Sequence, residues 1–256
     1  MVRKVSDSVS PQLAAKVEHS LSVLQQAAAE HGSAVVFANS LGAEDVVITD
    51  LLQRANTGTA SFVLDTGRLP EETLTLLEAV QQRYPELPVK VYYPVAEQVE
   101  SYVASHGVNA FYRSQSLRKS CCAVRKLEPL KRALTGQSAW ITGLRREQSV
   151  TREEVGFKEY DAGNGMDKYN PLADWADAEV WAYIRAFDIP YNQLHDQNFP
   201  SIGCAPCTRA VSQGEDIRAG RWWWENPETR ECGLHPGTPD QPVAEASKGV
   251  ADFLPD

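Results

Sequence analysis

Ser33-Ala-Val-Val-Phe-Ala-Asn39, followed at once by Ser40-Leu-Gly-Ala-Glu-Asp45, is the stretch from which the fold is read. A short apolar run closed by a polar glycine turn reads as a buried strand feeding a helix over roughly 43–55. The pattern then recurs. Ser61-Phe-Val-Leu-Asp65 is a second strand, ended by Thr66-Gly67 and followed by a helix from Pro70, a residue suited to a first helical turn. Pro88-Val-Lys-Val-Tyr-Tyr93 is a third strand, with a helix over 95–105, and Ser138-Ala-Trp-Ile-Thr142 is a fourth, after a helix through 116–134. An amphipathic helix over 11–30 precedes them, with Leu13, Val17, Leu21, Val23 and Leu24 near helical spacing; one more runs past Ala173-Asp-Trp-Ala-Asp177 to about Phe187. Strands alternating with helices predict an α/β fold, a mainly parallel Rossmann-like sheet flanked by helices. Ligands of such sheets sit beyond the carboxyl ends of the strands, so the glycine-bearing ends at 40–42, 65–67 and 142–143 are expected to line one crevice.

With 256 residues, 43% of them hydrophobic, the chain can bury a sizeable core. A unit over 1–207 followed by a C-terminal segment over 208–256 fits better than two full domains. The net charge of −9 argues against general nucleic-acid or membrane-surface binding. Against that background Arg113, Arg118, Lys119, Arg125, Lys126, Lys131 and Arg132 form a cationic island interrupted only by Glu128. Such an island points to a local anion. The N-terminus lacks an apolar signal core and no long apolar run follows, which predicts a cytoplasmic protein with no membrane partner and with reduced thiols. Residues 234–256, rich in Pro, Gly, Asp and Ala, read as weakly ordered.

The five cysteines fall into three settings: Cys121-Cys122, Cys204-Ala-Pro-Cys207, and Cys232 in Glu-Cys-Gly-Leu-His. Neighbouring side chains on a helix diverge by about 100°, so two adjacent sulfurs facing one small centre need a local kink or a compact polynuclear cluster. Four thiols suit an iron–sulfur cluster. Zinc sites normally space their paired ligands by at least two residues, as Cys204 and Cys207 do and Cys121 and Cys122 do not. Spacing alone leaves cluster, zinc, redox dithiol and inert pair open. Arg125 and Lys126 each follow a cysteine by four residues, one helical turn, and read as cations beside the thiols or as a solvated face. Cys232, with His235 three residues on, is a candidate nucleophile whose thiol needs a nearby cation to ionise; the alternative is an incidental exposed cysteine.

Three loops read as anion or nucleotide contacts. Ser40-Leu-Gly-Ala-Glu-Asp45 presents a helix N-terminus but lacks the Lys-Ser/Thr of a Walker loop. Leu64-Asp-Thr-Gly-Arg68 could contact a nucleotide or simply cap a helix. Thr142-Gly-Leu-Arg-Arg-Glu-Gln-Ser149 with Arg152 places three arginines on one loop, where forked pairing to phosphate or sulfate competes with a plain polar surface. Arg209, Arg218 and Arg221 surround Trp222-Trp-Trp224, a run better suited to packing than to chemistry.

Taken together these motifs resemble the assimilatory adenylylsulfate (APS) reductases, the cluster-containing branch of the APS/PAPS reductase family. The likeness runs from about Ser33 to His235, through Cys-Cys-x-x-Arg-Lys-x-x-Pro-Leu, Thr-Gly-Leu-Arg-Arg-x-Gln-Ser, Cys-x-Pro-Cys-Thr-Arg, Gly-Arg-Trp-Trp-Trp-Glu and Glu-Cys-Gly-Leu-His. The resemblance implies an adenine nucleotide α-hydrolase-like fold with a mobile C-terminal segment. It implies one [4Fe–4S] cluster on Cys121, Cys122, Cys204 and Cys207, and Cys232 as nucleophile. Ser40, Leu41, Gly42, Leu64, Asp65, Gly67 and Arg68 would hold the adenosine part, with Gly143 and Arg152 at base and ribose. Lys126, Arg218, Arg221 and His235 would gather around the phosphosulfate. The implied reaction reduces APS to sulfite and AMP through an S-sulfocysteine on Cys232, in sulfate assimilation toward cysteine. The implied donor is thioredoxin or a glutaredoxin-like dithiol. Leu41 stands where many relatives carry an aromatic residue, and the chain continues 21 residues beyond His235. A PAPS reductase or a dual enzyme is the nearest rival. A pyrophosphatase-loop ATPase would need a phosphate loop richer in Ser and Gly, and an iron–sulfur sensor would not need Cys232. A homo-oligomer is left open.

Overall fold

The computed structural model describes residues 4–148 and 154–226. Six strands form one sheet in the order β3-β2-β1-β4-β6-β5. They are β1 (Val35–Ala38), β2 (Ala60–Leu64), β3 (Val89–Tyr92), β4 (Ala139–Ile141), β5 (Lys158–Asp161) and β6 (Met166–Tyr169). Every pairing is parallel except that of β5 with β6. The four strands read from sequence are therefore present in the expected parallel sheet, and an edge hairpin is added to them. Residues 158–169 give no such signal because Lys158-Glu-Tyr-Asp161 has three charged residues of four and Met166-Asp-Lys-Tyr169 two of four, so neither reads as an apolar run.

Strand side chains alternate between the two faces. Val35, Phe37, Ala139 and Ile141 enter the larger core, with Val46, Leu51, Leu76, Val80 and Ile184. The helices on this side are α1 (Pro11–His31), α2 (Ala43–Ala55), α3 (Glu71–Arg83) and α7 (Asp177–Phe187). Val36, Phe62 and Trp140 point the other way, onto Leu130, Ala133 and Leu134 of α6 (Glu128–Leu134). Covering both faces is what a parallel sheet requires, and it explains why these strands read as continuous apolar runs.

The helix expected through 116–134 is three pieces. After α4 (Ala96–His106) come α5 (Gln115–Cys122), a π-helical turn over Ala123–Leu127, and then α6. The turn begins immediately after Cys122. It supplies a local irregularity of the kind that was one of the two readings of the adjacent cysteines, and π turns are frequent at functional sites. No helix among the described residues is long and apolar enough to cross a membrane.

Candidate active site

The chain reverses its winding direction beside β1: β2 and β3 lie on one side, β4 and β6 on the other. The crevice beyond β1 and β4 is thus a topological switch point, where open α/β sheets bind ligands. A cavity of about 230 Å³ occupies it, lined by Ser40, Phe62, Leu64, Thr142, Gly143 and Gln148 among others. Two of its residues are fixed by close approach. A Cβ on Gly143 would sit 2.2 Å from Asp45 Oδ1, so only glycine fits. Asp45 in turn accepts hydrogen bonds from the Ser40 amide and hydroxyl, both at 2.6 Å.

The first loop departs from its reading as an anion cradle. The Ser40 amide is taken by Asp45, and the Leu41 amide donates to Asn39 Oδ1 at 2.8 Å. Leu41 itself adopts a left-handed backbone, with φ of 62°, and packs its side chain into the core at 2% exposure. Its side chain is absent from the cavity wall. Asp65 also turns from the cavity and accepts from the Gly67 amide at 2.8 Å. Gly67 has φ of 67°, and a Cβ there would lie 3.3 Å from the Arg125 guanidinium. Arg68 reaches away from the crevice: it donates to Asn109 Oδ1 at 2.8 Å, lies over the Phe111 ring, and lines the cysteine pocket.

The arginines of the third loop are likewise engaged by protein. Arg145 is 2% exposed and pairs with Glu44, Glu147 and Asp177, at 2.7, 3.2 and 3.2 Å. Arg146 donates to the Val155 carbonyl and lies over Phe157. Neither the phosphate reading nor the polar-surface reading describes Arg145. It is a buried cation matched by three carboxylates, two of them remote in sequence. Its pairing holds Glu44 at the wall shared by the crevice and a larger neighbouring cavity, and Gln148 donates to the same carboxylate at 2.9 Å. Arg152, Cys232 and His235 lie outside the described residues.

Cys121, Cys122, Cys204 and Cys207 converge on a single pocket with Arg68, Arg118, Arg125, Lys126 and Trp222. Burial, reinforced by the neighbouring thiols, pushes Cys121 up to about 11 and Cys207 up to about 12. Without a bound cation, Cys121 and Cys207 resist ionising. The donor set suits a thiolate-ligated centre: four sulfurs, with no carboxylate or imidazole in the pocket wall among the described residues. The buried indole nitrogens Trp222 Nε1 and Trp224 Nε1 lack a hydrogen-bond partner among the described residues, and both tryptophans pack in one cluster with Cys121, Cys204 and Cys207. Thr66 was not singled out by the sequence reading. Its hydroxyl lies 3.2 Å from Cys204 Sγ, its carbonyl accepts from Arg125 at 2.6 Å, and its side chain lines the crevice.

The larger cavity, about 1050 Å³, is lined by Ser40, Gly42, Lys126, Arg218 and Arg221 among others. Arg221 is nearly buried and donates to the Ile202 carbonyl at 3.0 Å; a Cβ on Gly203 would collide with its guanidinium. Three of the cations expected around one anion are thus brought together. Lys126 lines this cavity, the crevice and the cysteine pocket alike.

Asp45 gives the site a measurable pH signature. Burial pushes its carboxyl up to about 7, against the lowering effect of the two Ser40 hydrogen bonds, and the Glu44 charge adds to the rise. The folded chain therefore holds a proton that the unfolded chain has released. The associated stability is fully present below about pH 4 and is lost as pH rises through about 7. Asp45→Asn should remove this dependence. The unfolding free energies of the two proteins, measured by urea titration, should diverge between those pH values by on the order of 4 kcal/mol. Parallel curves would show that Asp45 is already ionised.

A family profile described as phosphoadenosine phosphosulfate reductase domain matches residues 34–210. A protein of Allochromatium vinosum named adenosine 5′-phosphosulfate reductase is 56% identical over 230 residues, 90% of this chain and 88% of its own. A protein of the same name from Burkholderia cepacia is 50% identical over 98% of this chain and 100% of its own. Among solved structures, the phosphoadenylyl-sulfate reductase of Candida auris superimposes with a TM-score of 0.65 at 25% identity, over 80% of this chain and 98% of that one. The FMN adenylyltransferase of Candida glabrata shares the fold alone, with a TM-score of 0.56 at 14% identity, over 92% of this chain and 82% of that one. The sheet is thus of the adenine nucleotide α-hydrolase-like class. With the profile spanning most of the described core and relatives matching nearly end to end, the chain belongs to the phosphoadenosine phosphosulfate reductase family.

Proposed function

We propose that this protein reduces adenosine 5′-phosphosulfate to sulfite and AMP, using a dithiol protein of the thioredoxin type, in sulfate assimilation toward cysteine. The observation that carries this reading is the position of Lys126, on the wall of all three cavities. One ammonium there can face a nucleoside in the crevice, an anion beside Arg218 and Arg221, and the four sulfurs. The crevice suits an adenosine: apolar walls from Phe62, Leu64 and Trp140 for the base, polar groups from Ser40, Thr142 and Gln148 for the sugar.

The chemistry follows from charge. A thiolate attacking a phosphosulfate meets an anion, and Lys126, Arg218 and Arg221 offset that charge as it shifts onto the leaving phosphate. Cys232, on the segment 208–256, is the nucleophile of this proposal, with His235 and Arg152 assisting at the anion and the nucleoside. Its Sγ forms a bond to the sulfate sulfur while the S–O bond to AMP breaks, leaving an S-sulfocysteine. A donor thiolate then attacks Cys232 Sγ and releases sulfite. The donor's second thiol resolves the mixed disulfide, so the dithiol loses two electrons and sulfur gains two.

Cys121, Cys122, Cys204 and Cys207 would hold one [4Fe–4S] cluster, which when bound contributes fixed negative charge and a structural crosslink near Lys126. Anaerobically purified protein should contain about four irons and four acid-labile sulfides per chain. Stoichiometric zinc in their place would overturn this part of the proposal. A second reading is favoured by the Candida auris likeness: acceptance of the 3′-phosphorylated nucleotide. Sulfite release from each nucleotide with reduced thioredoxin decides it. The proposal predicts the larger kcat/KM with APS, and the reverse preference would transfer the protein to the sister activity.

A further inference from the structure

Among the three consecutive tryptophans, only Trp223 faces outward. Trp222 is 2% exposed against the cysteine pocket and Arg118, whereas Trp223 is 36% exposed. Trp222 reaches this arrangement through a left-handed backbone, φ 44°, which is unfavourable for a bulky residue. A backbone outlier of this kind is a reason to look for function nearby. Trp223 lies edge-on to Trp224, with ring centroids 4.8 Å apart, and 6.2 Å from the ring of Tyr112, itself 41% exposed. Together they make an aromatic face at the rim of the cysteine pocket. The face is held rigidly. Glu225 accepts two hydrogen bonds from Arg118, at 2.8 and 2.9 Å, and the Tyr112 hydroxyl donates to the Pro206 carbonyl at 2.6 Å.

The position of this face along the chain matters. Cys232 follows Asn226 by six residues, so its sulfur must act within about 20 Å of the point where the described backbone ends. Any protein whose thiol attacks an adduct on Cys232 must dock within that radius. A rigid, solvent-facing aromatic pair is the contact such a partner can use, since exposed aromatics are enriched at interface anchors and a short-lived redox encounter needs little area.

We propose that the Trp223–Tyr112 face is the docking surface for the dithiol donor, a small redox protein whose dithiol is rimmed by apolar surface. This rests on the S-sulfocysteine reading above. The test uses the cluster-loaded full chain with Trp223→Ser and, separately, Trp223→Glu. Three readouts are compared: adduct yield from APS without reductant, sulfite release driven by dithiothreitol, and sulfite release driven by reduced thioredoxin. The first two should match the unsubstituted protein. The KM for thioredoxin should rise about tenfold or more, further for the charged variant. Unchanged thioredoxin kinetics would overturn the proposal. So would a parallel loss with dithiothreitol and of adduct, which would assign Trp223 a structural role. Absence of adduct in the unsubstituted protein would instead overturn the underlying reductase reading.

Discussion

Cys232→Ser is expected to abolish sulfite release, by on the order of 10⁴-fold or more, because a hydroxyl cannot supply the thiolate or the reducible S-sulfo linkage. The same variant should retain its iron and its affinity for AMP, because the crevice at the switch point and the four-cysteine pocket are built from residues between 38 and 222. Equilibrium binding of AMP, iron content and sulfite release measured on one preparation separate these effects. Truncation before Glu231 should behave in the same way. Retained turnover in either protein would show that another group attacks the sulfate sulfur. Loss of nucleotide binding would show that the final segment helps to build the crevice.

Lys126→Ala is expected to lower kcat/KM for APS by roughly 10²–10³-fold, the usual loss when one donor to a developing anion is removed. The position of Lys126 explains why a single residue matters so much. It sits on the π turn four residues after Cys122, where that turn carries it to the junction of the three cavities. Much of the loss should fall on kcat, because the charge to be offset grows as AMP departs. Lys126→Arg should recover part of the rate by restoring charge with altered geometry. Single-turnover adduct formation measures the chemical step directly. An alanine variant with an unchanged adduct rate would remove Lys126 from the reaction.

The parallel core was legible because its strands are buried on both faces and so read as short apolar runs between helical patterns. The β5–β6 hairpin was not: its strands are short and rich in charge, and β6 takes its place in the sheet by pairing with β4 on one side and the edge strand β5 on the other, not through local pattern. The cysteine set was legible from composition, and adjacency called for either a kink or a compact cluster. The π turn that supplies it is a property of the three-dimensional join between α5 and α6, with no local signature in Ala123-Val-Arg-Lys-Leu127.

Side-chain roles in the loops were the least legible. Arg145 read as either an anion ligand or a polar surface residue, but Glu44 and Asp177, remote in sequence, claim it in the fold. The left-handed backbone of Leu41, which packs its side chain into the core, has no local sign in the sequence. The place of Arg68 at the cysteine pocket depends on contacts to Asn109 and Phe111 that are remote in sequence. The link of Thr66 to the cysteine pocket was not legible, because a threonine after a strand is an ordinary turn residue until Cys204 is placed beside it.

The most direct test of the account is intact-mass spectrometry of the anaerobically purified protein after mixing with APS or with PAPS, in the absence of reductant. The account predicts a gain of one SO₃ group on Cys232 with APS, removed on adding reduced thioredoxin with release of sulfite. No adduct from either nucleotide, with the metal content intact, would contradict it.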